Sequence, residues 1–391
     1  MKYILVIDHI ATGGAERILI DYYHYLKDKG HQPHIFVLSG YDGQSKWTED
    51  IDNITYGSKG DEDNLIKKGM QQLNLYFKLK KLIHEVKPDV IFSFLEKSNL
   101  LTIIAPSRAI KIVSVHNVLS IQYTKLKNPQ VKKIVYNIIK WMYNKCPNVI
   151  AVSKQVKDDL ITTFGVQADN IHIINNYVDR ENIQIKAQET IENFTFLPER
   201  KYIMNIGRFS DQKAQWKLLK AFALYLKNTN ENVELVLMGH GEYTTDLQEL
   251  AQKLQIEKYT TFLPFNVNPY KYMKHAHLFV LSSIYEGFPI VLAEVSSLRI
   301  PFLGTQKAIP EEMFDQKEIW KKCIFKSSTL EKDFSTTIHQ DEQDLAELIK
   351  KGVEDENFRQ SVLESTAQWE KQNTKRIQFE CYDSIAKQKY Q

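Results

Sequence analysis

The chain has 391 residues, 43% of them hydrophobic and 25% charged, with a formal net charge of +3. Its length is roughly twice that of an average domain, which predicts two domains with separate cores, and its ordinary charge content argues against long disordered tracts. Three cysteines, Cys146, Cys323 and Cys381, lie far apart without CxxC spacing, so neither a disulfide framework nor a zinc site is expected and a reducing cytoplasm fits best.

In chain order, the first apolar run, Tyr3 to Ile7, is stopped by Asp8. It is too short for a secretory signal or a membrane span, and no later run qualifies, which predicts a soluble or peripheral protein. Short β-rich runs then alternate with helical patterns, as parallel α/β sheets require. In the first half the strands read KYILVID, HIFVLS, PDVIFSFL, IKIVSVH, NVIAVS and IHIIN, with helices such as AERILIDYYHYLKDKG between them. Between Asn64 and Asn148 there are 15 Lys/Arg against three acids, Glu85, Asp89 and Glu96. Two stretches, 64–88 and 123–147, interleave lysines with Leu, Ile, Phe, Tyr and Trp at helical spacing. Such helices suit an anionic membrane surface, with Lys67, Lys68, Lys78, Lys80, Lys81, Lys132, Lys133 and Lys140 meeting headgroups; the plainer alternative is a core-facing helix with lysines on its solvated side. No recognition motif accompanies the charge, so nucleic acid is not an expected partner.

Residues 179–200 are polar and lack a strong period, and are read as an interdomain connection. The alternation restarts with KYIMNIG, VELVLMGHG, TFLPF, HLFVLSS and IPFLG, followed by a helical tail after about residue 341. The expected architecture is two doubly wound units facing across a cleft, with ligands bound beyond the carboxyl ends of the strands.

Candidate site residues concentrate at those strand ends. Gly13 and Gly14 follow the first strand and open a helix, so a bare backbone can approach a ligand; the run TGGAE is not GxGxxG, which weakens a nicotinamide reading. His116 ends a strand and can hydrogen-bond a sugar hydroxyl, or simply be a satisfied structural histidine. Arg208 and Lys213, in the loop after YIMNIG, can converge on a diphosphate. Gly239 and Gly241 in GHGE end a strand where a nucleotide base can pass. In EGFPIVLAE, Pro289 suits the first turn of a helix, so Glu286, Gly287 and Phe288 form the loop and Glu294 lies more than one turn into the helix. Free amides there can receive phosphate while carboxylates accept hydroxyl hydrogen bonds. A pair of glutamates at this spacing is by itself a common accident. His275 and His277 open a strand and make a poor metal site; Asp61-Glu62-Asp63 is read as an exposed turn.

Taken together these stretches resemble the retaining family 4 glycosyltransferases of the GT-B fold. The glutamates 286 and 294 resemble the family's paired acids, ATGGAER its glycine loop, VSVHN its strand ending in histidine, INNYVD its interdomain segment, and GRFSDQKAQ its Arg and Lys loop. The resemblance implies two Rossmann-like domains, 1–178 for the acceptor and 179–371 for the nucleotide sugar, with a C-terminal helix at 372–391 that can pack back onto the first. It implies Glu286, Arg208, Lys213 and His116 as reaction residues, and Gly13, Gly14, Gly239, Gly241, Gly287, Phe288, Pro289 and Glu294 as donor contacts, with no metal or other cofactor. It further implies transfer, with retention, of a hexose from a nucleotide sugar, most simply a UDP-sugar, to a lipid-linked saccharide in cell-surface polysaccharide assembly, at the inner face of the plasma membrane. An inactive sugar-nucleotide sensor and a nicotinamide-dependent oxidoreductase are the competing expectations. Ala214, where the family usually has glycine, implies a differently bent loop if that position needs a positive φ. Tyr177 and the Lys307-Ala308 pair likewise replace family glycines.

Overall fold

The computed structural model describes residues 1–10, 13–40, 46–59, 65–126, 128–327 and 331–387, without the side chains of residues 46, 65–68 and 125. The chain divides into two compact units, one made of Met1–Asn175 with Arg376–Gln391 and the other of Asn176–Lys375.

The first unit holds seven parallel strands: β1 (Lys2–Ile7), β2 (Gln32–Ser39), β3 (Ile54–Ser58), β4 (Val90–Phe94), β5 (Ile110–Val115), β6 (Val149–Ala151) and β7 (Ile171–Ile173). Their spatial order is β3-β2-β1-β4-β5-β6-β7, so the winding direction reverses between β1 and β4. Strands covered on both faces read as continuous apolar runs, and β4, VIFSF, is buried throughout. On one face Ile4, Val6, Phe36 and Ile91 pack against Leu75, Leu79, Leu82 and Ile83 of the helix Leu65–Val86 and Leu101 of the helix Glu96–Ile104. Phe92, pointing the opposite way from Ile91, meets Tyr22 of the helix Gly14–Asp28 at 5.8 Å and Tyr382 of the C-terminal helix Lys375–Lys387 at 5.0 Å between ring centroids. The hydroxyls of Tyr22 and Tyr25 both donate to the Asp383 carboxylate at 3.0 Å, tying that helix to the first sheet.

The second unit holds β8 (Lys201–Ile206), β9 (Val233–Met238), β10 (Thr260–Leu263), β11 (Leu278–Leu281), β12 (Phe302–Thr305) and β13 (Ile324–Phe325), all parallel. The order β10-β9-β8-β11-β12-β13 puts its reversal between β8 and β11. Its core joins Trp216, Leu218, Leu219 and Phe222 of the helix Gln215–Leu226 to Leu345, Ile349 and Val353 of the helix Gln340–Glu354.

Three elements correct the sequence reading. The stretch 179–200 is not wholly irregular: Arg180–Ala187 is a helix capped by Asp179, whose carboxylate accepts from the Asn182 amide at 3.4 Å. It buries only Ile183 and Ala187, too few to leave a readable period. The edge strands β3 and β13 were not anticipated; β3 is mostly half-buried ITYGS and β13 has two residues.

Candidate functional site

The reversal between β8 and β11 gathers the second unit's predicted residues. The chain leaves β8 through Gly207, turns through Arg208 to Lys213, and enters the helix Gln215–Leu226 after Ala214. The Lys213 ammonium donates to Glu286 Oε1 at 2.7 Å, and Gln212 Nε2 reaches Glu286 Oε2 at 3.3 Å and the Tyr285 carbonyl at 3.1 Å. One carboxylate beyond β11 is thus gripped at both oxygens by the loop beyond β8. Glu286 is 8% exposed, so the pair sits largely out of water, where charge-assisted bonds are strong. Arg208 extends into solvent and makes no ion pair among the described residues.

Main-chain contacts fix that geometry. The Ile284 amide donates to the Gln212 carbonyl at 2.8 Å, the Ser282 hydroxyl to the Lys213 carbonyl at 2.8 Å, and the Glu286 amide to the Lys307 carbonyl at 3.0 Å. Ala214 adopts φ 48, ψ 43, the left-handed region, and is fully buried. The loop therefore keeps the positive φ with alanine in place of glycine, and the expectation of a differently bent loop is corrected: the surrounding hydrogen bonds hold a conformation that costs a non-glycine residue about 1–2 kcal/mol.

Glu294, on the helix Ile290–Ser297, is 9% exposed and accepts from the Tyr270 hydroxyl at 2.8 Å. Pro289 stands at the N-cap rather than in the first turn, and the helix start carries no side-chain cap. Gly287 and Pro289 are buried. The Phe288 carbonyl accepts from buried Asn176 at 2.8 Å, and its ring stacks on Trp369 at 5.3 Å, a packing role that its sequence context did not disclose. The two GHGE glycines also have an internal reason. A Cβ on Gly239, at φ +149, would lie 2.1 Å from the Gly207 carbonyl, and one on Gly241 would lie 2.3 Å from the Phe209 carbonyl. Both glycines allow the end of β9 to press against the loop that carries Arg208 and Lys213.

In the first unit, Gly13 is the N-cap of the helix Gly14–Asp28, and the space above it is taken by Glu16, whose carboxylate a Cβ on Gly13 would approach at 2.2 Å. Glu16 also meets His9 Nε2 at 3.3 Å. His116 lies just beyond β5, stacked on Phe94 at 5.7 Å, with Nε2 buried and without a hydrogen-bond partner among the described residues. Burial pushes its imidazole down to about 4, so it is neutral at neutral pH. Asp8, just after β1, accepts from the Ser98 amide at 2.8 Å and the Ser98 hydroxyl at 2.6 Å; burial nevertheless raises its carboxyl above the usual range. Glu96, just beyond β4, was not among the predicted residues, and burial beside Asp8 lifts its carboxyl to about 7. A single glutamate opening a helix carries no sequence signal of that environment.

The basic helices present both cations and apolar surface. Met70, Leu73 and Phe77, spaced three and four apart, are 66%, 59% and 54% exposed on the helix Leu65–Val86. Val131, Ile134, Ile138 and Trp141 repeat the pattern on the helix Pro129–Asn144 at 43%, 58%, 44% and 47%. Lys80, Lys133 and Lys140 are exposed; Lys78 donates to the Gly57 carbonyl at 2.6 Å, Lys81 pairs with Glu85 at 3.7 Å, and Lys132 lies over the Tyr136 ring. The side chains of Lys67 and Lys68, and the whole Asp61-Glu62-Asp63 turn, lie outside the described residues. His275 stacks on Phe196 at 4.3 Å and His277 Nε2 lies 3.2 Å from the Val353 carbonyl, so both have packing roles. Among the described residues no helix is long and apolar enough to cross a membrane.

Comparison with known proteins covers both units. The family described as Glycosyltransferase Family 4 matches residues 12–182, and that described as Glycosyl transferases group 1 matches residues 187–369. An uncharacterized glycosyltransferase of Methanocaldococcus jannaschii is 28% identical over 311 residues, covering 72% of this chain and 75% of its own. A Campylobacter jejuni enzyme named N-acetylgalactosamine-N,N'-diacetylbacillosaminyl-diphospho-undecaprenol 4-alpha-N-acetylgalactosaminyltransferase is 28% identical over 314 residues, covering 79% and 82%. Among solved structures, the Anabaena protein HepE in complex with UDP and glucose aligns with TM-score 0.74 at 18% identity over 99% of each chain, a likeness of fold.

Proposed function

The chain belongs to the family 4 glycosyltransferases of the GT-B fold, and from that premise we propose that it transfers a hexose from a nucleotide sugar, most simply a UDP-sugar, to a hydroxyl of a lipid-linked saccharide in cell-surface polysaccharide assembly. The observation that carries the donor half is the Lys213–Glu286 pair at the reversal of the second sheet. Open parallel sheets bind ligands beyond the strand ends at this point. Breaking the sugar–diphosphate bond develops negative charge on the leaving group, and Lys213 with the exposed Arg208 supplies cations beside the uncapped start of the helix Ile290–Ser297. Glu286 holds the lysine in place and, with Glu294, offers carboxylates to sugar or ribose hydroxyls. The sugar is transferred with retention of configuration, and the leaving phosphate assists removal of the acceptor proton. No metal is required in this reading, because the two cations meet the diphosphate.

The acceptor half is supported by the Campylobacter relative, whose name gives a diphospho-undecaprenol-linked substrate. The exposed apolar stripes among lysines fit the same reading, a peripheral enzyme on the inner face of the plasma membrane.

The test is turnover of a panel of UDP-sugars. Glu286→Gln and Lys213→Ala are each expected to lower donor turnover by a factor of about 100 to 1,000 while the protein stays folded. Near-wild-type rates in both variants would defeat the assignment, and UDP binding without turnover of any sugar would establish the sensor instead.

A further inference from the structure

We propose that Glu96 binds the acceptor in the first unit, its carboxylate receiving a hydrogen bond from a hydroxyl of the sugar to be extended; the assignment rests on the glycosyltransferase reading above. Glu96 stands one residue beyond Leu95, at the carboxyl end of β4 and beside the reversal between β1 and β4. Leu95 has φ 74, an unusual backbone state for a leucine, and it presents Glu96 as the first residue of the helix Glu96–Ile104.

The carboxylate is incompletely satisfied. One side of it is met by its own main-chain amide, whereas Oε1 is buried with no hydrogen-bond partner among the described residues. Other partly or fully buried acids of this unit are served: Asp8 by Ser98, Asp159 by the Ser120 amide at 3.0 Å and Thr163 at 3.0 Å, and Asp383 by two tyrosines. Two further buried polar atoms lack partners among the described residues at the same edge of the sheet, His116 Nε2 just after β5 and Gln122 Oε1 in the helix that follows. An unmet buried acceptor destabilises the fold, and such groups persist where a ligand completes them.

The chemistry of the edge selects the ligand. The groups that act electrostatically on Glu96 and its neighbours are Asp8, Tyr123 and Tyr143, with Lys97 and His9 acting on Asp8. Lys97 is exposed, and the unmet atoms are acceptors apart from the imidazole nitrogen, so the edge calls for hydroxyl donors rather than for a phosphate. Because burial lifts the carboxyl to about 7, its strength as an acceptor should change across neutral pH.

The experiment measures the affinity of the full chain for UDP, and separately for the octyl α-glycosides of glucose, galactose, N-acetylglucosamine and N-acetylgalactosamine, by saturation-transfer NMR. Glu96→Ala is expected to weaken the best glycoside by about tenfold, the value of one charged hydrogen bond, with UDP affinity within about twofold of wild type. In the wild type, glycoside affinity should strengthen from pH 6 to pH 8, and Glu96→Gln should remove that slope; this arm decides the matter if the alanine variant does not fold. Unchanged glycoside affinity in both variants, an equal loss for UDP, or a wild type that binds UDP but no glycoside overturns the proposal. A wild type that binds neither UDP nor glycoside overturns the glycosyltransferase reading itself.

Discussion

At the scale of single residues, His116 and Glu96 pull stability in opposite directions with pH. Burial depresses the His116 imidazole from 6.5 to about 4, so between those values the unfolded chain takes up the proton more readily. Its contribution is full above about pH 6.5 and is lost as pH falls toward 4. Glu96 has the reverse sign: its carboxyl is raised from 4.5 to about 7, so its contribution is full below about pH 4.5 and is lost as pH rises through 7. His116→Gln should therefore flatten the fall in urea midpoint between pH 6.5 and 4.5, and Glu96→Gln should gain most over wild type at pH 8. A His116→Gln profile parallel to wild type would show that the ring is solvated. The sequence pattern singled out His116, Lys213 and Glu286 as candidates, because strand ends and a lysine-bearing loop are local signals. It could not locate Tyr270, Gln212 or Asn176, which grip the site from 24, 74 and 112 residues away along the chain. Nothing in a tyrosine's own neighbours announces a carboxylate that folding will deliver.

At the scale of elements, the helix that follows the Lys213 loop carries two lysines with almost no exposure. Lys217 Nζ meets Asp341 at 2.6 Å and the Ser327 hydroxyl at 2.7 Å, and Lys220 Nζ meets Asp333 at 2.6 Å. These pairs clamp the helix Gln215–Leu226 to the start of the helix Gln340–Glu354 and the segment before it. Asp341→Ala strands a buried ammonium and should cost about 3–5 kcal/mol by denaturant unfolding, whereas a Lys217→Met, Asp341→Leu double change should cost far less. A loss under about 1 kcal/mol for the single change would mean that water reaches the pair. The two basic helices of the first unit make a separate prediction. Right-handed crossovers put both on one side of the sheet, since β3 to β4 and β5 to β6 run in the same direction across it. Vesicles rich in phosphatidylglycerol should float the protein at moderate salt, and reversing Lys132, Lys133 and Lys140 to Glu should release it. Flotation that survives the reversal would remove the electrostatic part. The interleaving of lysine and apolar residues was readable beforehand, as was the Lys81–Glu85 pair four residues apart on one helix, but that Lys78 is engaged within the protein was not, because a carbonyl on β3 is invisible to helical periodicity.

At the scale of the whole molecule, the alternation of strand and helix foretold two doubly wound sheets, and only half-exposed or very short edge strands escaped it. The closing helix Lys375–Lys387 belongs with the first sheet through Phe379, Tyr382 and Asp383. Asp383→Ala leaves the buried Tyr22 hydroxyl unmet and should cost about 1–3 kcal/mol, read as faster amide exchange in the helix Gly14–Asp28 with the second unit unaffected. Equal effects in both units would contradict it. This discontinuous membership has a consequence for the newborn chain. The first 175 residues emerge with an aromatic face that only the final segment can cover, about 200 residues later. At about 5–20 residues per second the ribosome keeps Tyr22 and Phe92 waiting some ten to forty seconds. Through that interval an unfinished sheet is a target for holdase chaperones, and a rearranged gene that encodes the closing helix first would shorten the exposure.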